Sequence, residues 1–170
     1  NVSGSRSVSV GFQALYASTA SDNIGIGHEA GRNITDGYRN ICIGDRSAQS
    51  IGSGFENCYI GYQSGFNATG GNYNTALGVY ALRDGTTADR CTGIGRSSLI
   101  SNTSGDFNTA IGMSSGESNS TGSNNTFLGY NSGTNHTTGS NVTIIGNNAQ
   151  SSATGVSNEI TLGNSSISTL

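Results

Sequence analysis

The carboxylates Asp89 and Asp106 are the residues best placed to do chemistry, because they stand seventeen positions apart in a chain that repeats at that interval. Equivalent positions of stacked parallel coils lie about 5 Å apart, which suits the paired carboxyl groups of a retaining glycosidase, spaced about 5 to 5.5 Å. The same position in other coils holds Ser5, Ser21, Asn72, Ser123, Ser140 and Ser157, so a turn role, with the side chain bonding nearby backbone, is the stronger reading. His28 and His136 occupy unrelated repeat positions, and no cysteine or carboxylate falls at a ligand spacing from either. No nucleophile stands beside a base. The expectation is a non-enzymatic protein with no metal and no cofactor.

Binding chemistry is better represented. Tyr38 and Phe55 share a repeat position, Tyr73 and Phe107 stand one residue later in their own coils, and Arg39 and Arg90 lie beside them. Aromatic rings stack on sugars at modest entropic cost, and arginine suits acidic sugars. These six residues are the candidate carbohydrate site, with packing between coils or subunits as the plainer alternative. The asparagines Asn23, Asn40, Asn57, Asn74, Asn108 and Asn125 also recur at one position, where an amide ladder satisfying a turn is a simpler reading than sugar contacts.

These side chains must be positioned by the repeat itself. A glycine returns every seventeen residues, from Gly27 through Gly44, Gly61, Gly78, Gly95, Gly112, Gly129 and Gly146 to Gly163, with Gly11 one residue out of step. A branched aliphatic always precedes it, and the third residue after it is always alanine or serine. Units this short cannot bury their own apolar face, so they read as coils of a stacked solenoid. The expected fold is all-β, a parallel β-roll of ten coils forming a single domain over residues 1–170, with two turns and two short strands per coil. Ten coils at about 4.8 Å each make a rod of roughly 45 Å.

Composition excludes several classes. Glycine supplies 27 residues, proline none, and charged residues only 10%, with a net charge of -3 and arginine as the sole strong base. Glycine and short polar residues disfavour helix, and disordered polar sequence has no reason to hold an aliphatic in register. No basic stripe marks nucleic-acid binding, and no apolar run reaches membrane-spanning length. The three cysteines, Cys42, Cys58 and Cys91, fall at three repeat positions. Cys42 and Cys58 point to opposite faces, so no bridge within the chain is expected, and free thiols fit assembly in a reducing cytoplasm.

Alternation along the strand sets an expectation for association. If the regular aliphatic column faces the interior, the residues two before each glycine, Cys42, Tyr59, Ala76, Ala110, Phe127 and Ile144, form a second apolar face that a partner must cover. A self-associated fibre burying that column follows. The threonines Thr75, Thr92, Thr109, Thr126 and Thr143 share the aliphatic face. Threonine arrays serve ice-binding solenoids, but on this assignment these point inward or toward a partner.

The segments Asn74 to Gly78, Asn108 to Gly112 and Asn125 to Gly129 resemble the head repeats of trimeric autotransporter adhesins and the related repeats of bacteriophage tail fibres and spikes. Residues 158–170 resemble what stands just upstream of the intramolecular chaperone domain of phage fibres. The resemblance implies a left-handed, homotrimeric β-roll in a virion tail, assembled in the host cytoplasm, attaching to a host surface glycan or protein receptor and joined to other tail proteins. The alternatives are a bacterial adhesin head at the cell surface, a polysaccharide depolymerase spike and an ice-binding solenoid. Neither nucleic acid nor membrane insertion is expected.

Overall fold

The computed structural model describes residues 6–167. Ten strands of three residues follow one another: β1 (Val8–Val10), β2 (Ile24–Ile26), β3 (Ile41–Ile43), β4 (Cys58–Ile60), β5 (Thr75–Leu77), β6 (Thr92–Ile94), β7 (Thr109–Ile111), β8 (Thr126–Leu128), β9 (Thr143–Ile145) and β10 (Ile160–Leu162). They form one parallel sheet in strict chain order. Each strand ends at the repeat glycine, and coils are numbered one to ten by those glycines. Pairing runs at an offset of seventeen residues, as in Ile41↔Cys58, and at sixteen only for Val8↔Ile24, so the short first coil loses its residue from a turn and keeps strand register.

Glycine is required at the strand end by both conformation and space. Gly27 has φ 131°, and a Cβ there would lie 2.5 Å from the carbonyl oxygen of Gly44 in the next coil. Beyond it the chain does not form the expected second strand. Residues two and four after the glycine take left-handed backbone, for example Glu29 at φ 55° and Gly31 at φ 60°. Alternation of this kind curls the chain, and the return side is a stack of turns. Those turns are still tied between coils by backbone bonds such as Gly31 N–H to Ser47 O (2.9 Å) and Ala48 N–H to Ser64 O (2.8 Å).

The interior is reversed relative to the sequence expectation. Cys42, Tyr59, Ala76, Ala110, Phe127 and Ile144, expected at a subunit interface, lie inside the single chain with at most 1% exposure. The aliphatic column faces outward, with Leu77 at 48%, Ile111 at 40% and Leu128 at 42% exposed. A thin coil explains the reversal. Its interior admits large side chains only where the opposing position is empty: Tyr59 packs over Gly65, and Phe127 sits between Gly116 and Gly133. Where Leu15, Leu82 and Leu99 occupy the equivalent of Gly65, nearby strand centres shrink to Gly25, Ala76, Gly93 and Ala110. A uniform isoleucine or leucine in every coil would overfill this space, whereas the outer surface accepts it.

The asparagine column is the polar spine of the interior. Asn57 Nδ2 donates to Gly71 O (2.8 Å) and to Asn40 Oδ1 (3.0 Å), while its own Oδ1 accepts the Asn74 backbone N–H (2.8 Å). Each amide thereby satisfies buried backbone in the coil above. Cys91 interrupts the column, and Asn102 takes over the donor role by reaching Gly105 O at 2.8 Å. Asn119 and His136, one and two coils further on, also reach Gly122 O and Gly139 O, beside the column's own Asn108 and Asn125. The amide ladder is thus structural.

Candidate functional site

Two surfaces carry the remaining chemistry. The first is the outward face of the sheet. Exposure alternates from the fifth residue before the repeat glycine to the first after it, so that Tyr73, Thr75, Leu77 and Val79 are exposed while Asn74 and Ala76 are buried. The two central columns of this face run through all ten strands and contain no charged residue. Its two borders are the column fifth before the glycine, called here the leading border, and the column just after it, the trailing border. The threonines Thr75, Thr92, Thr109, Thr126 and Thr143 therefore stand on the outer surface, exposed or half-buried, so that of the two expected placements, inward or toward a partner, the inward one does not hold.

The second surface lies along the leading border and contains all six aromatic and arginine residues singled out from the sequence. Tyr38 and Phe55 stack with ring centroids 5.0 Å apart and planes within 2°. Phe55 meets Tyr73 edge-on at 5.3 Å. The Arg90 guanidinium lies over both Tyr73 (5.0 Å) and Phe107 (5.3 Å), and Arg39 lies over Tyr38 at 5.5 Å while its Nη1 donates to Glu56 Oε1 at 2.7 Å. That ion pair raises the Arg39 pKa above its ordinary value, through the Glu56 hydrogen bond first. The period places these residues within one strip of coils three to seven. These contacts cover one face of each ring, with Tyr38 and Phe55 facing each other and Arg90 over Tyr73 and Phe107, while Tyr38, Tyr73 and Phe107 remain exposed.

Arg90 differs from the other strip cation. Five of the seven arginines have a carboxylate within ion-pair distance, Arg6, Arg32, Arg39, Arg46 and Arg83. Among the described residues Arg90 and Arg96 have none, and both belong to coil six, on opposite borders of the outward face. The sequence reading did not single out Arg96, although aligning the chain on its period places it directly after Gly95.

Asp89 and Asp106 do share a column, and their geometry is that of a ladder. Asp106 Oδ1 accepts the Asp89 backbone N–H (2.8 Å), and Asp89 Oδ1 accepts that of Asn72 (2.7 Å). Ser123 and Ser140 hydroxyls continue the same pattern in the next two coils, each at 3.0 Å. The carboxylates are therefore the acidic members of a run that satisfies turn amides between coils.

The three thiols are free. Burial pushes the Cys42 thiol well up, and pushes Cys91, whose Sγ donates to Gly105 O at 3.2 Å, up to about 11. Cys58 lies half-buried on the outward face. Among the described residues no group of three or more histidine, cysteine or acidic side chains is arranged to hold a metal ion. A cavity of about 400 Å³ near the last coil, lined by Asn148, Gln150, Thr161, Gly163, Asn164 and Ser165, contains no titratable group. No helix of the described residues is long and apolar enough to cross a membrane.

No known family, characterised protein or solved structure matches this chain.

Proposed function

We propose that this chain is a self-associating, non-enzymatic fibre segment that works as a homotrimer in a phage tail and takes part in host attachment. The observation that carries the reading is the uncharged outward face, two columns wide and ten strands long. A continuous uncharged face with an exposed or half-buried aliphatic in every strand has the character of an interaction surface. Three such flat faces close around one axis parallel to the rods, which buries every strand's outer aliphatic at once. The resemblance of Asn108 to Gly112 and its repeats to adhesin and tail-fibre heads adds the trimer and the tail context. Free thiols at three positions favour cytoplasmic assembly over export through an oxidising space. Sedimentation of the purified chain at micromolar concentration is expected to give three chains per particle, and a stable monomer overturns the reading.

Host recognition falls to the leading-border strip, where the exposed Tyr38, Tyr73, Phe107 and Arg90 offer ring and guanidinium surface to a host glycan. Glycan-array binding by the associated form, lost on Tyr73→Ala together with Arg90→Ala, tests it. A second reading follows from the outward threonines: five in consecutive coils make a regular flat array, the arrangement that an ice-binding surface uses. Thermal hysteresis in a monomeric sample distinguishes it, because a fibre that buries this face shows none.

A further inference from the structure

Exposed rings recur at every second coil of the leading-border strip. Coil three presents Tyr38, coil five Tyr73 and coil seven Phe107, with 39%, 45% and 51% of their surface exposed. Coil four places the half-buried Phe55 between the first two, and coil six places Arg90 between the last two. At the same two repeat positions coil two has Ser21 and Asp22, and coil eight has Ser123 and Asn124, so the strip is five coils long with polar residues beyond each end. Parallel strands lie about 4.8 Å apart, which sets successive exposed rings about 9.6 Å from each other along the rod.

The rings are also held in place. Tyr38 rests on Phe55, Phe55 meets Tyr73, and the Arg90 guanidinium links Tyr73 to Phe107, each contact between 5.0 and 5.3 Å. Binding to such a preordered row costs little side-chain entropy, provided that the ligand is itself straight and stiff. Pyranoses joined by β-1,4 bonds make a ligand of that kind. Their linkages are equatorial, so the chain is an extended ribbon in which each sugar advances by about one strand spacing. Successive sugars turn over, and equivalent faces return at every second one, which is the interval of the exposed rings. An α-1,4-linked chain coils and leaves the line of the rings within a few sugars.

Charge selects within this class. The strip sets the carboxylates Glu56, Asp89 and Asp106 against Arg39 and Arg90, and Arg39 is already paired with Glu56 at 2.7 Å. A polyanion meets no positive field there, so Arg90 serves as a donor to sugar hydroxyls and the ligand is neutral.

Resting on the host-glycan role given to this strip above, we propose that it binds a linear, neutral, β-1,4-linked polysaccharide laid parallel to the rod, one sugar at each of its five coils. Tyr38, Tyr73 and Phe107 take the first, third and fifth sugars, and Arg90 takes the fourth.

Calorimetric titration of the associated wild type with cello-, manno- and N-acetylchito-oligosaccharides of two to six sugars tests the assignment. One of these series should gain affinity with each added sugar and level off at five, while α-1,4-linked malto-oligosaccharides of equal length bind far more weakly. Tyr38→Ala, Tyr73→Ala and Phe107→Ala should each weaken the pentasaccharide by about three- to tenfold, the loss of one ring contact. Affinity that stops growing at the disaccharide, equal binding of the α-linked series, or tighter binding of a β-1,4-linked polyuronate than of the neutral chains overturns the inference. So does unchanged affinity in all three alanine variants. Array binding confined to glycans outside the β-1,4-linked class overturns it while leaving the strip as a host-glycan site. Binding of no glycan at all overturns both readings.

Discussion

Tyr59 occupies the space that a side chain at Gly65 would need. The backbone is not what demands glycine there, because Leu15, Leu82 and Leu99 adopt the same left-handed conformation at the equivalent position, with φ between 48° and 50°. The ring is the constraint. Gly65→Leu is therefore expected to destabilise the roll by about 1 to 3 kcal/mol through overpacking, and Tyr59→Ala by about 3 to 5 kcal/mol through the cavity it leaves. Combined, the two changes approach the Leu82 and Ala76 arrangement of the next coil, and denaturant unfolding should show most of the loss recovered. Strict additivity of the two losses would mean that the pair is not coupled.

The outward and inward columns of neighbouring strands give a sharper contrast. Ile111→Glu puts a charge on the exposed face of β7, so circular dichroism should keep the β spectrum while sedimentation loses the associated species. Phe127→Glu puts an unpaired charge in a fully buried site of β8, and several kcal/mol of destabilisation should unfold the coil itself. Unchanged association in Ile111→Glu would remove the outward face from the interface.

How much of this was legible beforehand differs from residue to residue. Gly27 and its successors, with Ile26 and its counterparts before them, specify the coil length and the parallel stack, because only a regular solenoid needs the same residue types at one interval. The neighbours Phe127 and Leu128 do not reveal which of them is inside, since both are large and apolar. The deciding signal was present but unread: glycine stands at residues 65, 116 and 133 beside Tyr59 and Phe127, and leucine stands opposite small strand centres. Periodicity also brought Tyr38, Phe55, Tyr73, Phe107, Arg39 and Arg90 to one border, but their ring orientations depend on stacking between coils that no spacing rule supplies. The second strand failed because positive φ at positions such as Glu29, an ordinary side chain, is not written in residue type.

Alkaline pH should unfold the protein earlier than its composition suggests. Burial raises the folded pKa of the Cys42 thiol and of the Tyr59 hydroxyl above their ordinary values of 9.0 and 10.0, and Cys91 follows to about 11. Below pH 9 these groups are protonated in both folded and unfolded chains and contribute no slope. As pH rises past those ordinary values the unfolded chain loses protons that the folded chain keeps, so stability falls, by up to about 1.4 kcal/mol per pH unit for each group. Denaturant titrations at pH 8, 9.5 and 10.5 should show this decline, and Cys42→Ala should make it shallower. A flat profile would mean that these side chains ionise without unfolding.

The aspartate pair can be separated from a catalytic dyad by one substitution at two positions. Asparagine keeps the side-chain oxygen with which Asp106 accepts the Asp89 N–H and Asp89 accepts the Asn72 N–H, so Asp89→Asn and Asp106→Asn should preserve the ladder and change stability by less than about 1 kcal/mol. A depolymerase would lose its nucleophile or its acid in the same variants, with a drop of orders of magnitude in rate. Incubation of the associated wild type with acidic and neutral surface polysaccharides, followed by size-exclusion chromatography, is expected to show binding or indifference without any shortening of the polymer. Shortening that disappears in either asparagine variant would make the pair catalytic and the protein an enzyme.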